Sequence, residues 1–426
     1  MITLVTLLLM LPISNGSHSF TNFHLAFFTA ASALSTCGIA VVNTSTYWTL
    51  FGQGVILVAI QLGGLGVMTF ASLLSLSITR RIRVSQKLMT ANELGAQKLN
   101  EVKSVLAVVL ICTFSVELIA FTLLVTPLMR QHPDHPGRAL WEALFFAITS
   151  YNNTGFTPDT AGLYINDWGV GLPILCSAFV GTLGFPVILN VFRCTVAHKG
   201  PKNWSLHSKL TVITTLCIVS ASLVWFLAVE WNNAALFPDH DLGSKIRHGL
   251  VAAVMPRSAG FDISWMPHVS EQTKFFMALV MFIGGGSAST AGGIRVTTFA
   301  VLILVCRAAL HGSRDDSMFG KRLHTQTVIQ AMAITGICAI LIYVSSLALL
   351  SVTDRSLTDI VFEACSAFGL GGYTVGVADI SNPATLYILA ALMIIGRLGP
   401  MTVAYAISKP HAPQAIRYPS EHILVG

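Results

Sequence analysis

The 426-residue chain is 54% hydrophobic and only 10% charged, with a mean hydropathy of +0.71. Soluble domains carry about 25% charged residues, so a water-soluble globular protein is excluded and a polytopic membrane protein is expected. The formal charge of +6 sits in short loops, where Lys and Arg report membrane orientation and not a nucleic-acid partner. Eight cysteines without a CxxC pair, and no G-x-G-x-x-G, P-loop, HExxH or GxSxG pattern, argue against a metal centre, a cofactor and most enzyme classes.

Residues 1–13 are apolar but short of the roughly 20 residues that cross a bilayer, and they lack the charged start of a signal peptide. They read as a truncated first helix. A short helix over about 24–35 runs into Gly38, and residues 50–79 read as a long span carrying Gly63-Gly64-Leu65-Gly66. A loop with Arg80, Arg81, Arg83, Lys87, Lys98 and Lys103 follows. Then come a span over about 104–129, a short helix over 139–150, a turn at Gly155, and a span over about 169–192 with Gly181-Thr182-Leu183-Gly184. A second basic loop holds Arg193, Lys199, Lys202 and Lys209 and precedes a span over about 210–229, a short helix over 245–255, a turn at Gly260 and a span beginning near 273. A third loop, with Arg307, Arg314, Lys321 and Arg322, leads to a span over 328–352, a short helix over 356–367, a turn at Gly372, a span over 384–408 and a tail with Lys409 and Arg417.

The four turn glycines stand roughly 110 residues apart, the signature of an internal repeat. Eight positions before them are Ala30, Ala147, Ala252 and Ala364; ten before are Phe28, Phe145, Leu250 and Phe362; directly after them stand Ile39, Phe156, Phe261 and Tyr373. The chain divides accordingly into repeat one (1–79), a loop with repeat two (80–197), a loop with repeat three (198–308), a loop with repeat four (309–408) and a tail (409–426). Sixteen of the 25 basic residues fall on the side reached after each repeat's second span. The positive-inside rule makes that side cytosolic, with both termini there. The short helices then re-enter from outside.

A helix of about a dozen residues ends part-way through the membrane, where irregular backbone survives only if it lines a water-filled path or is packed in protein. Glycine in each turn admits a positive φ and aims carbonyls at a common axis. Carbonyls can replace an ion's hydration shell, and the negative C-terminal ends of the short helices favour a cation at the same place. The lining stretches are Thr36-Cys37-Gly38, Asn153-Thr154-Gly155, Ser258-Ala259-Gly260 and Leu370-Gly371-Gly372. The expected fold is all-α: four repeats of helix, re-entrant pore helix and helix with pseudo-fourfold symmetry around one central cation pore.

A second level lies below. The G-x-L-G pattern recurs about 25 residues past the first, second and fourth turn glycines, with Arg397 in repeat four at the place of Gly64 and Thr182. Arginine at membrane depth is costly and points inward, so Arg397 is expected to face the pore, with an ion pair to Glu117 as the alternative. At this level repeat three reads Gly284-Gly285-Gly286-Ser287-Ala288-Ser289-Thr290-Ala291-Gly292-Gly293, a run that disfavours continuous helix. A gate is expected there, against the alternative of a loop at the membrane surface. Arg295 either holds that loop closed or snorkels to the surface. For Gly63, Gly66, Gly181 and Gly184 close helix packing is the expected role, and for Asn152, Asn153 and Asp262 turn capping is commoner than ion dehydration.

These features resemble the Trk/Ktr/HKT superfamily of potassium transporters, and within it the membrane subunits of bacterial Ktr uptake systems. The resemblance covers the whole chain and rests on ASALSTCGIAVVNTSTYWTLFGQ, ITSYNNTGFTPD, PRSAGFD, SAFGLGGYTVG, GGGSASTAGGIRV, GRLGPMT and the terminal IRYPSEHILVG. It implies M1-P-M2 repeats with K+ in the filter, a filter glycine at each of the four turns, a gating loop over 284–293 and a barrier arginine at Arg397. It also implies a homodimer with one pore per protomer, in a bacterial plasma membrane, seated on a cytosolic ring of KtrA-like RCK subunits that bind adenine nucleotides. No cofactor is expected on this chain, and sodium stays open as a coupling or activating ion. Relatives with serine at the first filter position tend to pass sodium, so Gly38 implies potassium; Cys37 and Leu370-Gly371 depart from the family's usual filter. A sodium-conducting or Na+/K+ co-transporting relative is the alternative, and a membrane-embedded enzyme a remote one.

Overall fold

The computed structural model describes residues 1–66, 102–159, 167–198, 200–237, 241–257, 259–261, 265–311, 317–318, 321–322 and 325–399. The second half of the span expected over 50–79, the basic loop after it, Lys199, Ser258, Asp262, Arg314, the end of the last span and the tail lie outside the described residues.

Among those described, the chain is helical apart from loops and a two-residue β ladder, Ser317–Met318 with Lys321–Arg322. The helices are α1 (Ile2–Met10), α2 (Phe23–Ser35), the single turn α3 (Thr44–Tyr47), α4 (Leu50–Gly64), α5 (Val102–Gln131), α6 (Pro136–Tyr151), α7 (Trp168–Leu183), α8 (Phe185–Val196), α9 (Leu206–Glu230), α10 (Leu242–Val254), α11 (Glu271–Ile283), α12 (Val296–Leu310), α13 (Thr325–Leu350), α14 (Leu357–Gly369) and α15 (Pro383–Leu398). Their starts follow from local chemistry. Side chains of Thr49, Asp167, Ser205, Asp241, Ser270 and Ser356 accept a backbone N–H of the first turn, and α6, α8 and α15 carry in their first turn a proline that has no N–H to leave unmet.

Helices α5, α9 and α13 are long and apolar enough to cross a membrane, and α7 with α8 makes a fourth such span if the pair is taken as one. Their outer faces carry exposed apolar side chains, among them Phe114, Leu118, Val224, Ile340 and Val344, which suits lipid and not water. The short helices are the reverse. In α2 and α14 nearly every residue from the second turn onward is buried, and the repeat positions explain why: Ala30, Ala147, Ala252 and Ala364 are buried, as are Ile39, Phe156, Phe261 and Tyr373. Small residues let helices approach closely where lipid gives no hydrophobic drive.

The span expected to be continuous over 169–192 is broken: α7 and α8 meet at Gly184 with a bend of 101°. Pro186 in the first turn of α8 cannot continue a helix from α7, since it lacks the N–H and its ring would clash with the preceding turn. The freed N–H of Phe185 donates instead to the carbonyl of Ala288, 3.3 Å away in the expected gate.

Each closing helix packs on the short helix of the next unit: α4 on α6, α7 on α10, α11 on α14, and α15 back on α2. The last contact joins the two ends of the described chain. Within units one, two and four, Gly63, Gly181 and Gly396 of the closing helix lie so close to the backbone carbonyls of Leu34, Tyr151 and Phe368 in that unit's own short helix that an added Cβ would collide with them. Each carbonyl belongs to the residue four before a turn glycine, so these contacts recur at the same place in each of the three units. Gly396→Ala is therefore expected to destabilise the protein by about 1–3 kcal/mol, the usual cost of overpacking. Thermal unfolding of the purified variant in detergent checks this, and a melting curve superimposable on wild type refutes it.

Candidate ion-conduction site

Three of the four short helices end the same way. Thr36, Asn153 and Leu370, each two residues before a turn glycine, adopt a positive φ of 60°, 57° and 56°, a left-handed stop that turns the chain out of the helix. In the same three arms the next N–H reaches back five residues: Cys37 to Ser32 (2.9 Å), Thr154 to Thr149 (2.8 Å) and Gly371 to Ser366 (2.8 Å). Arm three is built differently. A tight turn over Met255–Arg257 follows α10, and Ala259 donates to Met255 at 2.9 Å; Ser258 lies outside the described residues.

The turn glycines meet one another in chain order. An added Cβ on Gly38 would strike the backbone of Gly155; on Gly155 it would lie 2.6 Å from the Ala259 carbonyl; on Gly260, 2.5 Å from Gly372; and on Gly372, 2.7 Å from the Cys37 carbonyl. The four arms thus close into a ring. Gly38, Gly260 and Gly372 have positive φ. Gly155 does not, against the expectation that each turn would need it; there the glycine answers to crowding alone. No backbone N–H among the described residues donates to the carbonyls of Cys37, Gly38, Thr154, Gly155, Gly260, Gly371 or Gly372. Buried carbonyls normally find donors, so these are free to face a cation. Side chains brace the arms from behind: Ser32 Oγ donates to Ile39 O (2.9 Å), Ser366 Oγ to Tyr373 O (2.6 Å), Tyr373 Oη to Phe261 O (3.0 Å), and Cys37 Sγ to Ser366 O (3.8 Å).

The run from Gly284 to Gly293 breaks the span between α11 and α12 and is packed inside the protein, with Gly284, Gly285, Gly286, Ser289, Thr290, Ala291, Gly292 and Gly293 buried and only Ser287 and Ala288 partly open. It is not a surface loop. Its backbone is held from several sides: Gly286 N–H donates to Thr182 O (2.8 Å), Gly292 N–H to Gly369 O (3.2 Å) and Gly293 N–H to Phe368 O (3.2 Å). Thr290 is the point where the two levels touch. Its carbonyl accepts from Thr36 Oγ1 (3.1 Å) and Arg397 Nη1 (2.6 Å), and its hydroxyl accepts from Asn153 Nδ2 (2.6 Å). Arg397 Nη2 donates also to the carbonyls of Gly63 and Gly64. The charge of Arg397 therefore sits under the ring beside the loop, and it does not pair with Glu117. That carboxylate instead accepts from Gln61 Nε2 (3.2 Å) and Asn152 Nδ2 (3.1 Å). Arg295 Nη1 donates to Ala291 O and Gly286 O across the loop.

Among the buried charges that escaped the sequence reading, two lie next to the turns. Glu363 is 0% exposed and gathers the N–H groups of Val375, Val377 and Ala378 and the Thr374 hydroxyl at 2.7–3.0 Å, so it folds the chain just after the fourth arm. Arg257 is 1% exposed and donates twice to the carbonyl of Gly284. Both were visible as charges inside short apolar helices or beside a turn glycine, positions where burial without a purpose is costly.

The family model for TrkH cation transport proteins matches residues 3–416. The chain is 34% identical over 421 residues to Ktr system potassium uptake protein B of Bacillus subtilis, covering 98% of this chain and 93% of that protein. It is 30% identical over 404 residues to the protein of the same name from Vibrio alginolyticus, covering 94% and 88%. The fold is similar to that of the crystal structure of the potassium transporter TrkH from Vibrio parahaemolyticus, with a TM-score of 0.71, 16% identity, and coverage of 91% of this chain and 79% of that one. These relatives are ion transporters and not enzymes, which removes the membrane-embedded enzyme. A ring of glycine turns over a buried loop and a half-buried arginine, in a chain matched along almost its whole length, identifies a member of the TrkH family of cation transport proteins.

Proposed function

We propose that this chain takes up potassium across a bacterial plasma membrane through one pore, its filter built from the free carbonyls of the four glycine turns. The observation that carries this is the ring closed by Gly38, Gly155, Gly260 and Gly372 in chain order. Four M1-P-M2 repeats, divided as the sequence suggests, arranged with pseudo-fourfold symmetry, account for the cyclic seams between closing and short helices. The loop over 284–293 and Arg397 form the gate beneath the filter. Cytosolic termini, a homodimer and regulation by a nucleotide-binding RCK ring complete the reading; the potassium uptake named for the relatives, and their naming as parts of a Ktr system, support it.

Rubidium and sodium uptake into proteoliposomes holding the chain alone tests this, comparing wild type with Gly38→Ser. Wild type is expected to prefer rubidium, and the variant to lose that preference by roughly tenfold, because a side chain in the ring changes the spacing and number of coordinating carbonyls. Equal uptake of both ions by wild type would favour the sodium-passing alternative. Uptake whose ion preference ignores Gly38→Ser would remove the filter from these turns.

A further inference from the structure

Arg257 has no obvious reason to be where it is. It lies three residues before the third turn glycine, it is among the largest wholly buried side chains, and no carboxylate among the described residues forms an ion pair with it. A buried guanidinium without a counter-charge is strongly disfavoured unless its surroundings compensate. Here the compensation is the end of α11. That helix stops at Gly284, whose φ of 58° and ψ of −146° no ordinary residue shares, and its terminal carbonyls carry roughly half a negative charge. Nε and Nη2 of Arg257 both donate to the Gly284 carbonyl, at 3.2 and 3.1 Å.

Gly284 is also the first residue of the proposed gate. The ties of that loop to the first, second and fourth arms and to Arg397 are made at its far end, by Thr290, Gly292 and Gly293. A loop that releases its far end swings about whatever still holds the near one. We propose that Arg257 is a positioning residue of the gate: it pins the hinge at Gly284 to the third filter arm, so that the loop lies closed under the ring unless its far contacts are broken. The proposal rests on the pore reading above and adds a residue that reading does not use.

The planar two-donor grip is the part lysine cannot reproduce, although lysine keeps the charge at the helix end. Rubidium and sodium uptake by the chain alone is measured for Arg257→Lys and Arg257→Met, each shown to be monodisperse in detergent. Rubidium uptake is expected to rise about tenfold in Arg257→Met and about threefold in Arg257→Lys, with the rubidium-to-sodium preference of wild type kept, since the ring itself is intact. If Arg257→Met fails to fold, Arg257→Lys decides. Unchanged uptake, or a lost preference without a rise in uptake, overturns the proposal; the second result would make Arg257 a brace of the filter. Gly38→Ser in the same assay separates this from the pore reading. Where Gly38→Ser shifts the ion preference and the Arg257 variants do nothing, only the hinge fails; where uptake rises but ignores Gly38→Ser, only the filter does.

Discussion

Gly372→Ala is expected to abolish rubidium uptake, a loss of at least tenfold, while Gly376→Ala leaves it within twofold of wild type. Both glycines hold a positive φ, 77° and 87°, so each alanine meets a similar backbone penalty of roughly 1–2 kcal/mol. They differ in what surrounds them. The Cβ added at Gly372 would lie 2.7 Å from the Cys37 carbonyl and 3.0 Å from Gly260 Cα, both backbone, whereas at Gly376 the nearest atom is the end of the Arg355 side chain at 3.4 Å. Backbone at that distance has to move, and separating Gly372 from Cys37 and Gly260 is expected to spread the ring. A carbonyl cage tuned to a dehydrated ion does not tolerate that. Equal effects of the two substitutions would mean that strain, and not ring geometry, is what matters. Retained uptake in Gly372→Ala would remove this glycine from the conduction path.

The contrast between these two glycines also marks how far the sequence could be read. Spacing alone singled out Gly38, Gly155, Gly260 and Gly372, because a turn that needs glycine repeats wherever the turn repeats. It could not tell why each is glycine: Gly155 has no positive φ and is small because the third arm leans on it, a fact of tertiary packing. The closing-helix glycines, for which close packing was expected, show the same limit. Gly63 and Gly181 do face carbonyls, those of Leu34 and Tyr151 in the short helices of their own units, but which carbonyl each meets depends on how the closing helix folds back on the short one. The break at Gly184 was legible, since Gly-Phe-Pro disfavours a continuous helix; apolar length outweighed it. Arg257 and Glu363 were harder. Their partners are backbone groups of segments far away in the chain or beyond a turn, and main-chain atoms leave no mark in a sequence.

Arg397 is expected to limit flux in two separable ways. As a charge, it stands under a ring of carbonyls through which a cation would leave. At an effective dielectric of about 20, two unit charges about 6 Å apart repel by roughly 3 kcal/mol, and each 1.36 kcal/mol in a barrier is about tenfold in rate. As a donor, it holds the Thr290 carbonyl at 2.6 Å and the carbonyls of Gly63 and Gly64 beside it, so it ties the loop to the first repeat. Arg397→Gln removes the charge and most of the reach, and is expected to raise rubidium uptake by the chain alone by about a hundredfold. Arg397→Lys keeps the charge but has only a point donor in place of the fork, and is expected to give a rise of threefold or less if repulsion dominates. A lysine variant as active as the glutamine one would assign the barrier to the tie on Thr290. A glutamine variant no faster than wild type would show that the loop blocks the path without help from the charge, because Thr36 and Asn153 still hold Thr290 from the filter side.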